Sequence, residues 1–93
     1  MTMARRIDDK LRAALAPQAL LIEDESHRHA GHSGARAGGE THFRVEIVSA
    51  AFAGKSRVER QRLVYDALKA ELEERVHALS LVTRTPEEAA SAD

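Results

Sequence analysis

The chain has 93 residues, 43% hydrophobic and 31% charged, with a formal net charge of −1. That is one globular domain, 1–93, rather than a disordered chain, and it has no overall basic field to draw in nucleic acid. It has no cysteine, which excludes disulfides and any thiolate ligand of its own, and no apolar run long enough to span a membrane. Aromatics are confined to Phe43, Phe52 and Tyr65, so there is little material for stacking bases. The start, MTMARRIDDKL, lacks the apolar stretch of a signal peptide. Asp8 and Asp9 argue against a transit peptide, so the expected location is cytoplasmic.

In chain order, residues 4–15 read as a helix. Ile7, Leu11 and Leu15 recur every four residues with Ala14 on the same side, and Pro17 bars continuation. Residues 20–26 begin as an apolar strand and end acidic. Residues 27–41 hold four of the five glycines and no apolar periodicity, which predicts a loop. In residues 42–49, Phe43, Val45 and Ile47 alternate with Arg44 and Glu46, the pattern of a half-buried strand.

A helix of about twenty residues follows a connector at Phe52-Ala53-Gly54. Ser56 and Glu59 have the spacing of a capping box. Val64, Leu68 and Leu72 make its apolar stripe, with Leu63 and Tyr65 flanking. Arg62–Asp66, Asp66–Lys69 and Glu71–Arg75 are spaced to pair on the wet side. Residues 78–84 turn β-like, and Thr85-Pro86-Glu87-Glu88 starts another helix. The tail at about 89–93 is expected to fray. The order is α-β-β-α-β-α. It predicts a three-stranded mixed sheet, its first pair antiparallel and its third strand returning parallel, with helices on one face.

The histidines are the chemistry-bearing residues. His27, His29, His32 and His42 fall in or beside the 27–41 loop, and His77 sits where the long helix meets the last strand. Imidazole suits borderline metals such as zinc, iron and copper. A solvated polar loop, and a junction histidine that caps backbone groups, are the competing readings. Lys55, Arg57, Arg60 and Arg62 cluster at a helix start, where amides favour anions, and so could contact nucleic acid; a solvated helix face is the plainer reading. Gly54-Lys55-Ser56 is not a P-loop, because the required first glycine is Ser49. Gly31-His32-Ser33-Gly34 matches a nucleic-acid-binding G-x-x-G, but lies between strands rather than helices. No nucleophile–base pair has supporting context, so the chain reads as a non-enzyme.

Several segments in order resemble the BolA family: Asp24-Glu25-Ser26-x-x-His29, Gly39-Glu40-Thr41-His42-Phe43-Arg44-Val45, Phe52-x-Gly54, Arg60-x-Arg62-x-x-Tyr65 and Val76-His77-Ala78-Leu79. Together they cover roughly residues 5–86. The resemblance implies an α+β, class II KH-like fold. It implies a partner, a monothiol glutaredoxin, with which the chain would form a heterodimer, and a [2Fe-2S] cluster shared with that protein and glutathione. Alone, the chain would be a monomer or weak homodimer and hold no cluster. The resemblance implies His77 and His29 as metal ligands. The loop after His29 looks longer than in the best-known members and brings in His32 as an alternative. Gln61 stands where a histidine is common in the family, away from the ligand positions. Two other readings stand beside this one: a DNA-binding transcriptional regulator using the 55–62 cluster, and a stand-alone metal binder using the histidine loop.

Overall fold

The computed structural model describes residues 2–25 and 42–91. His27, His29 and His32 lie outside the described residues.

The first helix, α1, runs Met3–Leu15. The Thr2 hydroxyl caps it by accepting the Arg5 amide at 3.1 Å. Met3, Ile7, Leu11 and Leu15 are buried along one face, as four-residue spacing requires. Ala14, read as part of that face, is exposed. The helix stops at Ala16, which turns left-handed with φ 43° and returns its N–H to the Arg12 carbonyl. Pro17 then prevents another turn.

Strand β1, Ala19–Asp24, pairs antiparallel with β2, His42–Val48. Leu20 and Ile22 share a face with Phe43, Val45 and Ile47, and all three of the last group are buried. At the end of β2, the buried Ser49 hydroxyl donates to the Leu15 carbonyl at 2.6 Å and also accepts the Ala51 amide at 3.1 Å. It closes the end of α1 and starts a short 3-10 turn, Ala50–Phe52. Gly54, with φ 74°, completes the connector in a conformation that side chains resist.

The long helix expected after Ser56 is two helices. The first, α2, runs Arg57–Ala67 and carries the full Ser56/Glu59 capping box. The second, α3, runs Lys69–Glu74. At Leu68, φ −106° and ψ 17° depart from helical values, and its amide is shared between the Val64 and Tyr65 carbonyls at 3.0 and 3.2 Å. A bond to both i−4 and i−3 is the mark of a tightened turn. Val64 and Leu68 remain in the core, Leu72 is half-buried, and Glu71 is wholly buried. Glu71 therefore does not face water toward Arg75. Its carboxylate meets α1 instead, in ion pairs with Arg6 and Lys10, both at 2.9 Å.

Strand β3, Ala78–Arg84, pairs parallel with β2, giving the order β1-β2-β3. The last helix, α4, is Pro86–Ala90, capped by a Thr85/Glu88 box with Pro86 in its first turn. It includes Ala89 and Ala90, which the sequence reading left in the fraying tail. The core lies between the inward face of the sheet and helices α1 to α3, and includes Phe52 and Val76 from the connectors on either side of α2 and α3. The opposite face of the sheet stays open: Leu21 is half exposed, and Arg44 and Arg84 flank Glu46. The architecture is the expected α+β fold with a mixed three-stranded sheet.

Candidate functional site

His77 lies between two fixed points. Val76 before it is 5% exposed and belongs to the core. Ala78 after it is already in β3, in register with His42 of β2. The His77 side chain itself is exposed. A side chain held from both directions needs little further ordering to bind something.

The structure brings a second histidine to it. The His42 ring centre lies 6.4 Å from that of His77, with 31° between the ring planes. With metal–nitrogen bonds near 2 Å and tetrahedral angles, two imidazoles on one metal put their ring centres roughly 5 Å apart. The observed separation is wider than that by about 1 Å. The sequence reading placed His42 only beside the loop. The pairing follows from the strand register that the structure shows: with β2 and β3 parallel and Phe43 opposite Leu79, the start of β2 lies next to the residue that precedes β3.

The two residues that bracket positions 26–41, Glu25 and His42, also meet at this end of the sheet. The Glu25 amide donates to the His42 carbonyl at 2.8 Å, so the chain leaves β1 and re-enters β2 beside His77. Among the described residues, no group of three His, Asp or Glu side chains could hold a metal ion. A shallow groove of about 520 Å³ continues from His77 and is lined by Tyr65, Leu72 and Leu79 with Asp66, Lys69 and Glu73. Tyr65, read as flanking the apolar stripe, is 40% exposed in this groove.

The basic residues at the start of α2 are not equivalent. Arg60 has a side chain only 13% exposed. Its guanidinium donates to the Glu88 carboxylate at 2.6 and 3.1 Å, to the Lys55 carbonyl at 3.0 Å and to the Thr83 carbonyl at 3.3 Å. It also lies 5.9 Å from the centre of the Phe52 ring. The hydrogen bond from Arg60, with help from the Thr85 amide, holds the Glu88 carboxyl down at about 2. Arg60 is therefore a structural cation. Lys55 and Arg57 line a groove of about 510 Å³ with Gln61, Thr83 and Glu88, and Arg62 is exposed outside it. Glu59 faces its own helix start, where the Ser56 amide and hydroxyl lower its carboxyl. Two carboxylates thus sit among the four cations and dilute their field.

No helix among the described residues is long and apolar enough to cross a membrane.

The sequence profile of the family described as BolA-like protein matches residues 11–88. Protein BOLA1, chloroplastic, of Arabidopsis thaliana is 50% identical over 92 residues, covering 97% of this chain. The chain spans only 58% of that relative's length. The protein named DNA-binding transcriptional regulator BolA, from Escherichia coli K12, is 44% identical over 88 residues, covering 95% of this chain and 80% of that one. Among solved structures, the BolA domain of SufE1 from Arabidopsis thaliana superposes with a TM-score of 0.84 at 50% identity, covering 95% of this chain and 96% of that one. Sequence profile, relatives and fold agree with the segments that pointed to the family, and the chain belongs to the BolA-like proteins.

Proposed function

We propose that this protein is a non-enzymatic iron–sulfur accessory protein that forms a heterodimer with a monothiol glutaredoxin. In this reading His77 gives one ligand to a [2Fe-2S] cluster and His29 the second, with His32 and His42 able to replace His29. The glutaredoxin gives a cysteine thiolate, and bound glutathione gives another. The observation that carries the reading is the pairing of half-buried His42 with exposed His77, their rings 6.4 Å apart. The chemistry supports it: a chain without cysteine can join such a cluster only through nitrogen or oxygen. Two neutral imidazoles in place of two thiolates also make the cluster less negative and raise its potential. The cytoplasm, where thiols stay reduced, suits both glutathione and the partner's cysteine. The test is co-purification with a glutaredoxin, followed by visible absorption and circular dichroism. A complex with no cluster spectrum after anaerobic reconstitution, or no complex at all, defeats the proposal.

A second reading has one specific observation in its favour, the printed name of the Escherichia coli relative as a DNA-binding regulator. Lys55, Arg57 and Arg62 would be its phosphate contacts, without Arg60. A gel shift across a salt series decides it, because phosphate contacts give a steep loss of affinity with salt. The stand-alone metal reading is decided by titrating the isolated chain with zinc, where stoichiometric binding without a partner would favour it.

A further inference from the structure

The six-residue helix α3 has no side-chain cap at its start and is too short to stand alone. What holds its end is Glu71. The Glu71 backbone carbonyl accepts both the Arg75 and the Val76 amides, each at 3.0 Å. Those two residues are the ones that lead into His77. The Glu71 side chain is 0% exposed. Lys10 donates to it at 3.0 Å, and Arg6 at 2.9 and 3.2 Å through two nitrogens. The same Arg6 nitrogen reaches Glu74 at 2.7 Å. One residue therefore closes the last turn of α3 with its backbone and is bolted to α1 with its side chain. Nothing in the helix itself fixes that turn as firmly, because Arg75 leaves helical geometry at φ −148° and ψ −30°.

A buried carboxylate is costly unless it is paired and hydrogen-bonded. Here burial pushes the carboxyl up, but the hydrogen bonds from Lys10, from its own backbone amide and from Arg6 outweigh it, and the net shift is downward. An apolar residue of similar size would fill the space without cations. What the charged version adds is direction: two cations on successive turns of α1 fix the carboxylate at one place and one angle.

We infer that Glu71 is a positioning residue for His77, and that the Arg6–Glu71–Lys10 clamp sets where the end of α3 presents the His77 ring relative to His42. The inference rests on the proposed role of His77 for its meaning. Its test does not, because it is read on the isolated chain without cluster or partner.

The probe is nitrogen-15 NMR of the imidazole rings, with ring-to-ring contacts and amide hydrogen exchange, on wild type, Glu71→Gln, Lys10→Met and a control, Leu11→Ala. The control lies on α1, is buried in the apolar core and contributes no charge or hydrogen bond to the clamp. In Glu71→Gln the His42 and His77 ring signals shift and the contact between them weakens. Exchange at Arg75, Val76 and His77 rises by roughly tenfold or more, above any rise in β2, as local opening requires. Lys10→Met keeps the Arg6 half of the clamp, stays folded and shifts the same signals less. Leu11→Ala raises exchange throughout and leaves the ring signals in place. Unmoved ring signals in both clamp variants, or equal movement in the control, would overturn the inference. The failure of the cluster reading would look different: a normal holo spectrum from His77→Ala with the glutaredoxin, which leaves these ring measurements as they are.

Discussion

Arg60 of α2 and Glu88 of α4 face each other through parallel hydrogen bonds of 2.6 and 3.1 Å. The pair ties the last helix of the chain to the start of the crossover. The Glu88 carboxyl also accepts the Thr85 amide at 2.9 Å, so a single acidic group serves a salt bridge and a capping box together. Its proton affinity falls from the ordinary 4.5 to about 2. A group depressed on folding stabilises the fold above its unfolded value and loses that contribution as pH falls through its folded value. Stability from Glu88 is therefore full above about 4.5 and is lost toward pH 2. Glu88→Gln should flatten the pH dependence of the melting temperature in that window. An unchanged slope between the two proteins would show that the pair does not persist in solution.

Leu68 is 1% exposed at the join between α2 and α3. Truncation there leaves a cavity that the kinked turn is poorly placed to refill. Leu68→Ala should cost roughly 2–5 kcal/mol in a denaturant melt. A loss below about 0.5 kcal/mol is what a surface position gives and would contradict its place in the core.

Ala16 holds a left-handed conformation at the end of α1, where most helices use glycine. The conformation costs an alanine about 1–2 kcal/mol, and glycine avoids that cost while losing some of the gain to a freer unfolded chain. Ala16→Gly should raise stability by about 0.5–1 kcal/mol, seen as a melting temperature several degrees higher. A lower melting temperature would mean that the alanine methyl does something the backbone geometry does not reveal.

For the proposed ligands, His77→Ala should abolish the circular dichroism signature of the holo-complex with glutaredoxin, because His77 is held from both sides, by core Val76 and by Ala78 of β3. His29→Ala should only weaken it. Removal of His29 together with its substitutes His32 and His42 should equal the loss of His77. Resonance Raman for iron–nitrogen modes reads the same variants independently. A wild-type spectrum from His77→Ala would sink the assignment.

Much of this fold was legible because local signals agreed. The Ser56/Glu59 and Thr85/Glu88 boxes and the alternation of Phe43, Val45 and Ile47 each mark an element without reference to the others. Glu71 was not legible. In the sequence it sits four residues before an arginine, the signature of a solvent pair, and only the approach of α1 shows that its partners are Arg6 and Lys10. The break at Leu68 was hidden for a related reason, since no glycine or proline announces it and the four-residue stripe runs straight through. Arg60 looked like one of four cations until α4 supplied its counter-ion. For Glu71 and Arg60 the deciding contact comes from an element far away in the chain. His77 was found from its junction, but its neighbour His42 had to wait for the parallel register.

That register has a consequence for when the site comes into being. His42 opens β2 and His77 ends the connection through α2 and α3 that leaves the other end of that strand, and only the β2–β3 pairing brings them together. Parallel pairing across a long crossover is a high contact-order event, closed after local helices and hairpins have formed. The imidazole pair is therefore absent from the nascent or partly folded chain and appears only when the crossover is complete. Anything that must touch both rings tests for a finished fold. A truncated or misfolded copy, even one with every helix in place, has only separate histidines to offer.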